Sequence, residues 1–194
     1  GPDGEPIVIY TYSLDDDNKA TITSYKGNAT SLIVPETIDG YTVVAIGDRA
    51  FEGNVLLHNV VLPDTVTAIG SRAFLGCSQL ATVQLPDNLT SMGGGAFYEC
   101  VSLTRIFIPK SLTSVSGYDG YGWRSAFGGC KNLWDVELED GMSKIPGYLF
   151  SNCTGFTEIA IPASVTAIGE SAFAGTGLKA VVVPDNVTSI EQNA

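Results

Sequence analysis

Apolar and polar positions alternate in short bursts along this chain, and the bursts return at a fixed distance. Residues 80–100, LATVQLPDNLTSMGGGAFYEC, show one such unit. Leu80, Val83 and Leu85 follow the pattern L-x-x-V-x-L, with polar Thr82 and Gln84 between the last apolar positions. A period of two predicts a short strand with one buried face. Pro86 ends it, because proline has no N–H to give to a ladder. Leu89 and Met92 return the chain to the core, and Gly93 supports a tight turn. Ala96, Phe97 and Cys100 are then expected to point inward from a short helical or 3-10 segment.

The unit recurs. AIGDRAF, AIGSRAF, SMGGGAF and AIGESAF end on Phe51, Phe74, Phe97 and Phe173, and looser copies end on Phe127 and Phe150. The intervals between successive Phe residues are 23, 23, 30, 23 and 23. A second marker, the proline after each apolar run, falls at Pro35, Pro63, Pro86, Pro109, Pro162 and Pro184, with Glu139 in that place between Pro109 and Pro162. A period near 23 with insertions confined to fixed places is a solenoid signature. Stacked coils bring equivalent residues into columns about 4.8 Å apart, so the Phe residues are expected to pile on one another as a spine.

Two insertions break the period, one within ETIDGYT before Val43 and one within residues 117–125. The first thirty residues lie outside the repeat. IVIYTYSLDDDNKATITSY reads as two strands joined by an Asp-rich turn, a cap for the first coil. The expected organisation is a lead-in and β-hairpin cap over residues 1–28, then a right-handed, mainly β solenoid over residues 29–194. That solenoid has about six full coils and an incomplete last one, which suggests a natural chain that continues.

Function is expected on what the coils leave outside. Two outward columns should line one concave sheet: Ser31, Asn59, Thr82, Arg105, Asp135, Glu158 and Ala180, and beside it Ile33, Val61, Gln84, Phe107, Glu137, Ala160 and Val182. Arg105, Phe107, Asp135, Glu137 and Glu158 form a mixed aromatic and charged patch on it. Repeat proteins use such faces for partners, while cross-strand pairs such as Arg105–Asp135 are also ordinary sheet surface. The insert adds Tyr118, Tyr121 and Trp123, separated by glycines and one Asp. These aromatics suit a protein hot spot or stacking on a sugar ring; alternatively they fold back over the coil edge.

Bulk composition narrows the classes. Ten basic residues against 21 acidic ones leave a net charge of −11, the wrong sign for neutralising phosphates or anionic lipid. The same charge favours basic partners or bound cations. No apolar run is long enough to span a bilayer, and no leader is legible at the start, which leaves a cytosolic or an already trimmed chain.

Candidate chemistry is sparse. Cys77, Cys100, Cys130 and Cys153 each lie three residues after a Phe, so they share one column. At the coil spacing their Cβ atoms are too far apart for disulfides, which need about 3.8 Å, and buried free thiols are expected. Without a C-x-x-C or a His pair, no zinc site is expected. The sole histidine, His58, reads as surface. DDDN at 15–18 reads as a hairpin turn, since it lacks the later ligands of a calcium loop. The sequons at Asn28, Asn88, Asn152 and Asn186 arise partly from the repeat itself. No cofactor and no catalysis are expected.

The IP or LP strand ends, the LTSIG-like phrase and the AF followed three residues on by Cys resemble BspA-type leucine-rich repeats, a family of bacterial surface proteins. PETIDGYTVVAIGDRAF is similar to the usual first coil of such arrays. The resemblance covers about residues 20–194. It implies a leucine-rich-repeat solenoid, secretion or surface anchoring, and adhesion to a host or matrix protein. Alternatives are a glycan-binding module using the insert, and a structural spacer in a longer surface protein.

Overall fold

The computed structural model describes residues 9–116 and 125–194. The chain winds as successive coils, and the earlier ones each lay one short strand on each of two faces. In the unit read above, Thr82–Gln84 is the first strand. The turn after it closes with the Leu89 N–H donating to the Pro86 carbonyl at 3.1 Å. Ser91–Gly93 is the second strand. The same proline turn closes on Val66, Leu112, Val165 and Val187. Where Glu139 replaces the proline, the turn still closes, with the Met142 N–H on the Glu139 carbonyl at 3.2 Å, and the Glu139 carboxylate also accepts from the Lys110 backbone N–H at 2.9 Å and from its ammonium at 2.7 Å.

The first face carries two parallel ladders in the expected register. Ser31 pairs with Asn59 and Asn59 with Thr82, while Ile33 pairs with Val61 and Val61 with Gln84. Arg105–Ile108 then pairs with Asp135–Leu138, setting Arg105 against Asp135 and Phe107 against Glu137. The expectation of one continuous sheet fails twice: Thr82–Gln84 and Arg105–Ile108 belong to separate ladders, and beyond Leu138 residues 158–161 and 180–183 are not strands. A change in sequence accompanies the break. Phe156 stands where earlier coils carry Leu57, Leu80, Leu103 and Leu133, and its ring meets Phe150 edge-on at 5.4 Å.

The second face is a sheet that the sequence pattern does not announce. Tyr41–Ile46, Ala68–Ile69, Ser91–Gly93 and Ser114–Ser116 pair in parallel, and Lys144–Ile145, Ala167–Ile168 and Ser189–Ile190 form a separate ladder further on. Strands of two or three residues are too short to display an alternation. Gly93 serves this sheet rather than a turn: a Cβ there would lie 2.2 Å from the Ser71 backbone nitrogen. At Gly47, Gly70 and Gly93 the second strands approach so closely that a side chain would meet the backbone of the coil before.

The expected helical or 3-10 segments are runs of turns, and no residue among those described is helical. The cause is local. Two residues with positive φ flank Phe51, Phe74, Phe97, Phe150 and Phe173 at a distance of two, such as Arg72 (57°) and Gly76 (69°) around Phe74, or Tyr148 (57°) and Asn152 (59°) around Phe150, and Gly129 (72°) follows Phe127 in the same way. Left-handed residues cannot continue a right-handed helix. These turns are stitched from coil to coil instead, with the Phe51 N–H on the Ala73 carbonyl and the Phe74 N–H on the Ala96 carbonyl, both at 2.7 Å.

The Phe spine forms as expected. Phe51, Phe74, Phe97 and Phe127 stack with ring centroids 4.7, 5.0 and 5.2 Å apart and planes within 6°. Phe150 and Phe173 continue the pile at 5.7 and 6.0 Å. Burying each ring contributes about 1.5–3 kcal/mol. The cap joins the same spine. Its strands, Tyr10–Leu14 and Ala20–Tyr25, form an antiparallel hairpin whose second strand runs parallel to Tyr41–Ile46. Tyr25 packs on Phe51 at 5.2 Å and Tyr10 on Tyr25 at 5.5 Å. The ETIDGYT insertion is a small hairpin, Thr37–Ile38 against Tyr41–Thr42, turning at Asp39 and Gly40 with positive φ at both. Tyr12 ties the cap to it by donating its hydroxyl to the Asp39 carboxylate at 2.8 Å.

Candidate functional site

The outer surface of the first face divides in two. Its early half is uncharged, with the Thr82 hydroxyl donating to the Asn59 side chain at 2.7 Å and Ile33 standing exposed. Its later half carries the predicted patch. Arg105 reaches across the strand pair, with Nε 3.0 Å from Asp135 Oδ2 and Nη2 3.7 Å from Glu137 Oε2. Both contacts are largely exposed, so each contributes at most about 1 kcal/mol. Phe107, 40% exposed, sits beside Arg105 and opposite Glu137. Arg105, Phe107, Asp135 and Glu137 are thus brought together as read from the sequence. Glu158 lies outside any strand, across an opening from Asp135. Tyr118, Tyr121 and Trp123 lie outside the described residues.

That opening is a groove of about 730 Å³, lined by Trp134, Asp135 and Val136 on one side and Glu158, Ile159 and Ile161 on the other. It forms where the ladder stops. In earlier coils the residues entering the strand are stitched to the coil before: Ala81 and Thr82 donate to the His58 carbonyl, and Trp134 and Asp135 to the Thr104 carbonyl. Asp135–Leu138 is the last strand of its sheet, so its far edge is unpaired by any described strand. The inward column opens with it. Val60 and Ile106 are buried, whereas Val136, Ile159 and Ile161 are only half-buried.

Trp134 is the feature that sequence reasoning missed. It is 64% exposed, the most exposed aromatic ring named on this face. It occupies the position just before the strand, where other coils have His58, Ala81, Thr104, Thr157 and Lys179. Its column neighbours Thr104 and Thr157 are too small to cover an indole. The signal was present as a departure: one large aromatic in a column of mostly smaller side chains.

The cysteines are free thiols, all buried. Cys77, Cys100 and Cys130 donate to the carbonyls of Phe51, Phe74 and Phe97 of the preceding coil at 3.1–3.2 Å. Burial pushes the Cys77 and Cys153 thiols up to about 12, and raises Cys100 and Cys130 as well. Such thiols pack and donate; they are poor nucleophiles. In the same column at the first coil, Asn54 accepts from the Leu56 and Leu57 N–H groups. His58 is exposed, its Nδ1 2.9 Å from the Leu56 carbonyl. Asp15 closes the hairpin turn, accepting from the Asp17 and Lys19 N–H groups. The amides of Asn88 and Asn186 donate to the turn of the coil before, so those two sequon positions have structural work in the stack.

The described residues include no helix long and apolar enough to cross a membrane. Comparison with known proteins places this geometry in context. Six copies of the BspA type leucine rich repeat region match residues 26–119 and 123–194. The chain is similar in structure to a leucine rich repeat protein of T. pallidum, with TM-score 0.72 and 32% identity over 95% of this chain and 79% of that one. It is also similar to a leucine rich cell surface protein of Faecalibacterium prausnitzii, with TM-score 0.73 and 35% identity over 97% of this chain but only 51% of that one. The pneumococcal vaccine antigen PcpA shares the fold at TM-score 0.69 and 19% identity, over 94% of this chain and 51% of that one. A search of curated proteins finds no match. A recurring unit of near 23 residues, its stacked Phe spine and the six matched copies agree, and the chain belongs to the BspA-type leucine-rich repeat family.

Proposed function

We propose that this chain is an extracellular, cell-surface interaction module that recognises or adheres to a host or matrix protein through the later half of its first face, and that it performs no chemistry. The observation that carries this reading is the contrast between columns. Inward positions repeat Phe, Cys and aliphatic residues with little change, while the outward positions switch to Arg105, Phe107, Asp135 and Glu137 within two neighbouring coils. An exposed aromatic ringed by charges is the composition of a protein-binding surface. The description of the Faecalibacterium prausnitzii relative as a cell surface protein supports the location.

The test is capture of purified matrix proteins by the intact chain, compared with Phe107→Ala and Arg105→Glu. Both substitutions fall on exposed side chains, so the fold survives and binding weakens. Unaltered capture by both variants overturns the assignment of the face, and turnover of a substrate overturns the absence of chemistry.

A further inference from the structure

We infer that the groove beside Asp135–Leu138 is a docking site for an extended protein segment that alternates aliphatic and basic side chains. The inference rests on the protein-recognition reading above and names the chemistry of the partner.

Three independent features define the occupant. The first is main-chain. The outer edge of Asp135–Leu138 has no described strand beside it, and an unpaired edge is a template for another extended backbone. The second is apolar. Val136, Ile159 and Ile161 belong to the inward column yet are only half-buried here. A segment laid along the edge would send every second side chain toward them, and aliphatic groups fit. The third is charge. The groove lining includes two carboxylates, Asp135 and Glu158, and no basic side chain. Asp135 already pairs with Arg105 at 3.0 Å, whereas Glu158 on the opposite wall forms no ion pair with a described residue. The outward side chains of the docked segment would stand between them, in the column that runs Arg105, Asp135, Glu158. A Lys or Arg there continues the alternation of sign.

Trp134 at the mouth completes the fit. Its indole is open, and a tryptophan face attracts an ammonium or guanidinium that reaches it. The net charge of −11 adds long-range attraction for such a segment. A sugar would also stack on Trp134, but it would leave the strand edge and the aliphatic wall unused.

The experiment uses the whole chain carrying Trp123→Phe, so that fluorescence reports Trp134 alone of the two tryptophans. Three probes are titrated: a seven-residue peptide alternating valine and lysine, its valine–glutamate counterpart, and cellohexaose. The valine–lysine peptide is expected to shift the emission of Trp134 and to bind more weakly as salt rises, while the other two probes do neither. Glu158→Lys, and Trp134→Ala followed by a labelled peptide, should each weaken binding at least about tenfold with thermal stability unchanged. Equal binding to wild type and both variants would show attraction to the acidic surface at large and overturn the site. A response to cellohexaose without one to the peptide would overturn the partner class. Matrix-protein capture without peptide binding sinks only this groove; peptide binding without capture sinks only the adhesion reading.

Discussion

Two columns seven residues apart along each coil have opposite lives. The column through Phe74, Phe97 and Phe127 is buried, and its rings lie within 6° of parallel. The column just before the first-face strand, through Thr104, Trp134 and Thr157, faces solvent and accepts any size. Both are spaced by the same coil repeat, yet one is fixed and the other free. The difference shows where each kind of information sits. The interior specifies the stack, because a residue that departs there disturbs the coil above and the coil below. The exterior can vary at little cost in stability, so a large departure such as Trp134 is where recognition can be built.

The largest effect that would sharpen this comparison is alkaline. A thiol raised by burial favours the folded state only while it stays protonated. Its contribution is whole below the ordinary thiol value of 9.0 and is lost as pH climbs toward about 12, as for Cys77 and Cys153. Above 9.0 the unfolded chain holds fewer protons than the folded one, so stability falls by up to about 1.4 kcal/mol per pH unit for each such thiol. Urea unfolding in reducing buffer at successive pH values checks it. A flat profile up to pH 11 would show that the cysteine column is not sealed from water.

Next in size is Gly93→Ala. The added carbon collides with the Ser71 backbone, and overpacking of this kind costs about 1–3 kcal/mol. Chemical denaturation measures it, and an unchanged midpoint would mean the second strands are looser than they stand here. A smaller effect, of opposite sign, is expected at Glu99. It holds φ at 58° where Gly53, Gly76, Gly129 and Gly175 occupy equivalent places, so Glu99→Gly should stabilise by about 1 kcal/mol. The smallest effect belongs to the outer face. Arg105→Glu should change stability by less than about 1 kcal/mol, because its ion pairs are exposed. A larger loss would break the comparison, making the outer column structural too.

The spine, the first-face register and the thiol column were legible because burial of one face leaves a strict mark on sequence. Val83 and Leu85 alternate with Thr82 and Gln84, and the Phe and Cys residues keep their spacing from coil to coil. The second sheet was not legible, since Ala68–Ile69 or Lys144–Ile145 is too short to carry a period. The turns were mistaken for helical segments because apolar spacing at Ala96, Phe97 and Cys100 suits either; only backbone angles at Gly95 and Glu99 separate them. The patch of Arg105, Phe107, Asp135 and Glu137 could be read from the columns. The groove could not, because it depends on a ladder that stops after Leu138, and nothing in the repeat spacing marks where hydrogen bonding fails.

The central claim is that the inner column holds the fold and the outer one does not. Paired urea unfolding of Phe97→Ala and Trp134→Ala tests it most directly. The account predicts a loss of about 3–5 kcal/mol for the first and less than about 0.5 kcal/mol for the second. Comparable losses for the two, or a larger one at Trp134, would contradict it.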